Sequence, residues 1–191
     1  YDIHRFVRNV AIQVEPGALV IDLGAGEADF RGLYRHAHYV TCDNTSGNPE
    51  WDYSNIDIVV DLMDPNLPGV PREMFDYAIC NLVIEHVPDP QLLLDQMNKV
   101  LKPGGRGYML APLMWGQHQV PHDYFRFTSF ALDMLLKRAG FEEIQIAPIG
   151  GFFYFLALQL QLSILLLFPA HMPRWLHLAL ASNQSQHSQP Q

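Results

Sequence analysis

Short apolar runs alternate with helix-length segments along most of this chain. The first run is Leu19–Leu23, and similar runs follow at 39–43, 58–62, 74–81 and 108–112. Runs that are apolar at successive positions are typical of strands buried on both faces, as in parallel sheets. Strands that alternate with helices form a parallel sheet covered on both faces. The pattern therefore predicts an α/β fold.

Helix signals stand between these runs. Residues 4–14 carry apolar side chains at helical spacing. Asp89 followed by Pro90 is typical of an N-cap and a first helical residue. Thr128 is predicted to be the N-cap of a later helix, whose apolar residues recur at helical spacing. We expect these two helices to end at the Pro-Gly-Gly sequence of 103–105 and at Gly140, respectively.

The junction after the first run carries the strongest chemical signal. Gly24 and Gly26 remove Cβ atoms where the backbone has to turn and where a ligand can approach it closely. Asp43 ends the second run, where a carboxylate can accept hydrogen bonds from both hydroxyls of a ribose. The glycine pair alone also suits an ordinary tight turn, and the motifs further along the chain decide between the two.

Five motifs follow one another in an order that resembles the class I S-adenosylmethionine-dependent methyltransferases. They are Asp-Leu-Gly-Ala-Gly at 22–26, the acid at 43, Asp-Leu at 61–62, the run from 75 through Glu-His-Val at 85–87, and Leu-Lys-Pro-Gly-Gly at 101–105. The resemblance covers residues 10–151. One departure is Ala28 in place of a third glycine; because alanine is a good helix former, we expect a helix there. Asp29 stands where a nicotinamide-dependent enzyme would complete Gly-x-Gly-x-x-Gly, which disfavours that class.

The resemblance implies a Rossmann-like, doubly wound sheet of seven strands, mostly parallel, with helices on both faces. The segment 141–147 is predicted to form a further strand, and one strand near the C-terminus is expected to be antiparallel. The implied activity is methyl transfer from S-adenosyl-L-methionine to a small-molecule, sugar or lipid-linked acceptor by in-line displacement. The alternative is a catalytically inactive methyltransferase-like binding module, which the intact glycines and acids disfavour.

The resemblance also assigns the cofactor's parts to residues that follow the strands. The assigned residues are Asp22, Gly24, Ala25 and Gly26 for the amino-acid part, Asp43 and the adjacent Asn44 for the ribose, Asp61 and Leu62 for the adenine, and Asn81 for the methionine chain near the sulfonium. A helix-capping or turn-closing role for Asp22 and a solvated acidic loop around Asp61 are the structural alternatives. Trp51 and Tyr53 are expected near the adenine or as anchors of a surface loop.

The acceptor side is predicted from histidines and from the segment 117–128. His86, His118 and His122 are the candidate catalytic bases, and His122, Asp123, Tyr124 and Arg126 are the candidate acceptor-binding residues. The alternative for His86 is a structural histidine that packs the loop after the fourth strand. The segment resembles an insertion in family members linked to sugar and cell-envelope biosynthesis, and an arginine there can bind a carboxylate or phosphate bidentately. The alternative is a loop in which the acid and the arginine pair with each other. No metal site is predicted.

The charge of the chain bears on nucleic-acid binding, and its cysteines bear on the cellular compartment. The 191 residues include 12 basic and 20 acidic side chains, giving a formal charge of −8, and the Lys and Arg residues form no cluster. A nucleic-acid substrate is therefore not expected. In the sheet order typical of the family, one strand separates Cys42 from Cys80, so both are expected to be free thiols in a cytoplasmic protein.

The C-terminal region differs in composition from the rest. We divide the chain into a methyltransferase domain at 1–151, an apolar helical segment at 152–181 and a disordered Ser/Gln-rich tail at 182–191. Residues 152–168 are apolar apart from two glutamines and a serine. This stretch is expected to pack on the core or on a partner, to lie in a membrane interface at the inner face, or to span the membrane. The sequence predicts no oligomeric state.

Overall fold

A parallel sheet of five strands forms the centre of the protein. The computed structural model describes residues 2–151 and, beyond them, residues 153, 155–157, 159–160 and 163. The strands are β1 (Leu19–Leu23), β2 (His38–Asp43), β3 (Ile58–Val59), β4 (Phe75–Asn81) and β5 (Leu101–Leu110). Their order is β3-β2-β1-β4-β5, and every neighbouring pair is parallel. The order reverses between β1 and β4, and ligands bind at such switch points outside the carboxyl ends of the strands.

Helices cover both faces of the sheet and divide the core into two clusters. The helices are α1 (Asp2–Gln13), α2 (Pro90–Val100) and α3 (Ser129–Arg138). Val20 packs with the buried side chains of α1, whereas its neighbour Ile21 packs with those of α2. This division follows from the alternation of side chains along a strand. The predicted α/β architecture with two covered faces is confirmed.

Local signals correctly placed the N-termini of α2 and α3 and the C-terminus of α3, whereas α2 ends at Val100, before the predicted Pro-Gly-Gly stop. The Asp89 side chain accepts hydrogen bonds from the backbone N–H groups of Gln91 and Leu92, both at 3.1 Å. The Thr128 hydroxyl accepts one from Ala131 N at 3.2 Å. Gly140 has φ of +89° directly after α3, the left-handed conformation in which helices commonly end.

Cys42 and Cys80 lie on β2 and β4, on either side of β1. Both are buried and free, as predicted. The strand between them separates their side chains, which keeps them beyond disulfide reach.

Two predicted strands differ from the observed ones. β5 begins at Leu101 rather than at 108, because the Pro-Gly-Gly sequence forms an irregular register against β4 instead of a helix terminator. Lys102 fixes this irregularity through an ion pair of 2.7 Å with Asp76, which also accepts a hydrogen bond from Leu19 N. β3 extends over two residues rather than the predicted five.

The predicted strand at 141–147 is absent, and the described residues form a five-stranded sheet rather than a seven-stranded one. Most of the segment is exposed, and Glu143 has φ of +50°. A left-handed residue breaks the extended backbone that a strand needs. The predicted antiparallel strand is likewise not found among the described residues.

The described residues between 153 and 163 are helical. Most of the predicted apolar segment 152–181 and all of the tail 182–191 lie outside the described residues. Within the described part of the chain, no helix has both the length and the apolar character that crossing a membrane requires.

Candidate active site

The glycine turn after β1 packs against the turn that follows β4. Gly24 and Gly26 have φ of +77° and +57°, and the N–H groups of Gly24 and Ala25 donate to Cys42 O at 2.9 and 3.1 Å. A Cβ on Gly24 would lie 2.6 Å from one Val83 methyl carbon and 2.9 Å from the other. Glycine is therefore required at position 24 by both backbone conformation and space.

Asp43 links the glycine turn to the end of β2. Its carboxylate accepts hydrogen bonds from Gly26 N at 3.0 Å and from Thr45 N at 2.9 Å. A carboxylate has about four lone-pair positions, so two remain for a ligand. The adjacent Asn44 is exposed and accepts a hydrogen bond from Ser46 N at 2.9 Å.

The helix expected after the glycine turn does not form. Ala28 has φ of +58°, and only a short 3₁₀ helix, Arg31–Tyr34, follows. The expectation of a helical Ala28 is therefore wrong. Hydrogen bonds from Gly26 N to Asp43 and from Asp52 N to Glu27 instead hold this part of the chain as a turn.

Trp51 covers the glycine turn. Its ring would lie 3.1 Å from a Cβ on Gly26, and Tyr53 lies beside it with ring centroids 6.2 Å apart. The backbone N–H of Asp52 donates to a Glu27 carboxylate oxygen at 3.0 Å, which ties this loop to the turn. The two aromatic residues thus lie next to the site rather than on a remote surface.

Asp22 is buried and paired with a tyrosine. The Tyr39 hydroxyl donates a hydrogen bond to its carboxylate, and both side chains lie on the α1 side of the sheet with Val20. Burial raises the pKa of Asp22 to about 6, against the lowering effect of the tyrosine and with a further raising effect from the charge of Asp43. Asp22 therefore neither closes the turn nor caps a helix.

Asp61, Leu62 and Asn81 occupy the carboxyl ends of β3 and β4. Asp61 is exposed and accepts a hydrogen bond from Met63 N at 2.9 Å, whereas Leu62 is buried. The side-chain oxygen of Asn81 is enclosed and has no hydrogen-bond partner among the described residues. Buried acceptors normally have partners, so this oxygen is suited to a ligand's donor.

Glu85 is a fully buried carboxylate between the β4 turn and the loop after β5. Neither carboxylate oxygen has a hydrogen-bond partner among the described residues, and burial raises the pKa of Glu85 to about 7. Its backbone carbonyl accepts hydrogen bonds from the N–H groups of Tyr124 and Phe125 at 2.8 and 3.3 Å. The loop is therefore fastened directly over the Glu85 side chain.

Two of the three candidate histidines converge on Glu85. His86 Nε2 lies 3.8 Å from Glu85 Oε1, and His118 Nε2 lies 4.0 Å from the same oxygen. Burial lowers the pKa of His86. His122 is exposed, and its Nδ1 contacts the Tyr124 hydroxyl at 3.0 Å.

Arg126 holds the loop of residues 115–127 together. It forms a bidentate pair with Asp123 at 2.6 and 2.8 Å, which keeps the pKa of that carboxyl down at about 2. Its remaining bonds go to the backbone carbonyls of Trp115, Gly116 and Phe125. The alternative foreseen from the sequence, an acid and an arginine paired within the loop, is what the structure shows.

A family model described as a methyltransferase domain matches residues 2–146. The chain belongs to this family. The match confirms the resemblance to the class I S-adenosylmethionine-dependent methyltransferases that the motifs indicated.

Named relatives match only part of the methyltransferase domain. Demethylmenaquinone methyltransferase of Geobacillus kaustophilus (strain HTA426) is 34% identical over 72 residues, which are 36% of this chain and 31% of that protein. The enzyme of the same name from Oceanobacillus iheyensis is 29% identical over 85 residues, 42% of this chain and 36% of that protein. The chain thus matches about a third of the length of these relatives.

Solved structures share the fold over a larger part of the chain. One is 1,6-didemethyltoxoflavin-N1-methyltransferase of Burkholderia thailandensis, with S-adenosylhomocysteine bound, at a TM-score of 0.61 and 20% identity over 78% of this chain and 71% of that one. Another is phosphoethanolamine N-methyltransferase 2 of Haemonchus contortus, with S-adenosyl-L-methionine bound. Its TM-score is 0.60 and its sequence identity is 16%, over 94% of this chain and 47% of that one. At such identities the likeness shows the fold alone.

Sequence reasoning missed several residues that shape this methyltransferase domain. Glu85 was noted only as part of a motif, although a charged residue inside the apolar stretch 82–87 signals a buried carboxylate with a special environment. Val83 and Tyr39 gave no such signal, because apolar and aromatic residues in strands and turns usually serve the core.

Proposed function

We propose that this domain binds S-adenosyl-L-methionine at the carboxyl ends of β1, β2 and β4 and transfers its methyl group to a small-molecule acceptor. One observation carries the proposal. The left-handed turn at Gly24, the half-satisfied carboxylate of Asp43 and the enclosed oxygen of Asn81 all lie at this edge of the sheet. Strand-end crevices at a switch point are where α/β sheets bind nucleotide-like ligands.

The groups at this edge fit the parts of the cofactor. Asp43 keeps lone pairs for a ribose diol. The Asn81 oxygen offers an acceptor for an ammonium group, and Trp51 offers an aromatic surface beside the turn. Asp61 with the Leu62 backbone stands at the neighbouring strand end, where the adenine is expected.

The chain's own task in the reaction is to position the acceptor and to manage its proton. The cofactor supplies a methyl group on a positively charged sulfur, which is already a good electrophile. In-line approach then depends on orientation, which the loop 115–127 can provide because Arg126 fixes its shape. A hydroxyl acceptor also needs a base, for which His86, His118 and His122 are the candidates.

An acceptor with an apolar part suits the rim of the site. The segment 113–125 exposes large apolar side chains, among them Leu113, Met114, Val120, Tyr124 and Phe125. The names of two similar proteins specify demethylmenaquinone and 1,6-didemethyltoxoflavin as their methyl acceptors. We therefore propose an amphipathic small molecule or a lipid-linked sugar, methylated at the cytoplasmic face of a membrane that residues 152–168 contact. Co-sedimentation with lipid vesicles tests this contact.

Calorimetric titration with S-adenosyl-L-methionine tests the cofactor site. Asp43→Ala removes the proposed acceptors for the ribose hydroxyls. We expect this variant to bind S-adenosyl-L-methionine with a free energy that is less favourable by about 1–3 kcal/mol. Asp29→Ala, which removes an exposed acid, is the matched control and should bind as the unmodified protein does. If a folded Asp43→Ala variant bound S-adenosyl-L-methionine as tightly as the unmodified protein, Asp43 would not be the ribose-binding residue.

Methyl transfer itself is tested with methyl-labelled cofactor and fractionated lipid and polar extracts. We expect label in the lipid-soluble or amphipathic fraction. A protein that binds the cofactor tightly but labels no fraction would be a binding module rather than an enzyme.

A further inference from the structure

The side chains of Glu85, His86 and His118 form a cluster of potential metal-ligand atoms. One ligand atom from each residue can be chosen so that all three lie within 4.8 Å of one another. The two imidazole rings meet edge to face, with centroids 4.7 Å apart. Glu85 and His86 come from the 3₁₀ helix after β4 and His118 from the loop after β5, so two neighbouring strand ends supply the cluster.

Hydrogen bonds to the backbone fix which nitrogen of each histidine is free. His86 Nδ1 lies 2.5 Å from the carbonyl oxygen of His122, and His118 Nδ1 lies 3.1 Å from that of Gly116. A carbonyl only accepts, so both Nδ1 atoms carry the proton. In the neutral rings the two Nε2 atoms then hold the lone pairs, and they lie 3.8 and 4.0 Å from Glu85 Oε1. Metal-binding histidines are held by the same kind of backbone bond.

No donor among the described residues satisfies this cluster. Both oxygens of Glu85 and the Nε2 of His86 are buried without a hydrogen-bond partner, and the Glu85 side chain is only 1% exposed. Arg126, the nearby cation, donates instead to Asp123 and to three backbone carbonyls. Buried acceptors without a donor are costly, and a cation would offset that cost.

We propose that Glu85, His86 and His118 form a binding site for a divalent transition-metal ion such as Zn²⁺ or Co²⁺. Two imidazoles and a carboxylate are the ligand set that such borderline ions prefer. Bonds of about 2.0–2.2 Å in tetrahedral geometry place ligand atoms roughly 3.4 Å apart. The separations of 3.8 and 4.0 Å from Glu85 Oε1 therefore have to close by roughly half an ångström, and the third separation, which is within 4.8 Å, by at most about 1.4 Å.

The proposed ion would fasten the loop 115–127 to the turn after β4 and would keep at least one coordination position open. An open position on a metal binds water or an acceptor oxygen and lowers its pKa. This use by an acceptor rests on the proposed function, whereas metal binding does not. With His86 and His118 engaged, His122 is left as the candidate base.

Titration of the chelator-treated full chain with Co²⁺, followed by visible absorption, and with Zn²⁺, followed by calorimetry, tests the site without any methyl transfer. We expect one site per chain and a rise in the thermal unfolding temperature when metal is present. Glu85→Gln and His118→Asn should each weaken metal binding more than about 10-fold. His38→Asn, which changes an exposed histidine at the start of β2, should bind as the unmodified protein does.

Three outcomes would overturn the proposal: no stoichiometric Co²⁺ or Zn²⁺ binding, equal affinity in a folded His118→Asn variant, or loss of the site in His38→Asn. Should Glu85→Gln not fold, the half-buried His118 still provides the decisive comparison. Cofactor affinity is measured in the same samples. Metal binding without cofactor binding would contradict the proposed function alone, and the reverse would contradict the metal site alone.

Discussion

Gly24→Ala separates the two reasons for a glycine in the turn after β1. The first is backbone conformation, since φ of +77° costs an L-residue about 1–2 kcal/mol. The second is space, since the new Cβ would lie 2.6 and 2.9 Å from the two methyl carbons of Val83. Both methyls are too close, so a simple rotation of the valine cannot relieve the contact. Overpacking of this kind costs about 1–3 kcal/mol.

We therefore expect Gly24→Ala to lower the free energy of unfolding by about 2–5 kcal/mol. Gly17→Ala is the matched control, because Gly17 has φ of +79° and a Cβ there would meet nothing within 4 Å. It should show the conformational cost alone. Urea unfolding followed by tryptophan fluorescence is a suitable assay, because Trp51 lies against the same turn.

A double-mutant cycle with Val83→Ala isolates the steric part. Removing both Val83 methyls leaves the nearest contact at 3.3 Å, from its Cβ. In that background Gly24→Ala should cost about as much as Gly17→Ala does, giving a coupling of about 1–3 kcal/mol. Strictly additive effects, or equal costs for the two glycine variants in the unmodified chain, would refute the steric argument.

Three further predictions concern individual side chains. Burial holds the folded-state pKa of Asp22 at about 6, above its unfolded value, so the folded state keeps a proton that the unfolded chain has lost. The contribution of Asp22 to stability should therefore fall as the pH rises from about 4 to 6, by up to about 3 kcal/mol. Glu85, whose pKa burial also raises, titrates in both proteins, so urea unfolding should show a smaller loss in Asp22→Asn than in the unmodified protein, and equal losses would contradict the assignment. Thr128→Ala removes the cap on Ala131 N and should cost about 1 kcal/mol in the same assay; no change would contradict the cap's contribution. Arg126→Lys cannot reproduce the bidentate pair, so limited proteolysis should cut the loop 115–127 faster and methyl transfer should fall, with calorimetry showing unchanged cofactor affinity. An intact, protease-resistant loop would contradict the holding role of Arg126.

The sequence alone determined features that depend on neighbouring residues. β1 has the predicted bounds, Leu19–Leu23, because a run that is apolar apart from Asp22 and ends at a glycine turn marks both the strand and its end locally. The caps at Asp89 and Thr128 formed as predicted, because a cap bonds to backbone groups only two or three residues away. The order of the motifs was sufficient to identify the methyltransferase family.

Tertiary structure decided whatever depends on contacts between distant parts of the chain. Asp22 is paired with Tyr39 because β1 and β2 are neighbours with a register that places both side chains on one face. Ala28 takes a left-handed conformation, against its own helical preference, in a turn that hydrogen bonds to distant residues Asp43 and Asp52 hold in place. His118 reaches Glu85 only because β4 and β5 end side by side. Local propensity carries no information on such distances, since packing of the whole chain sets them.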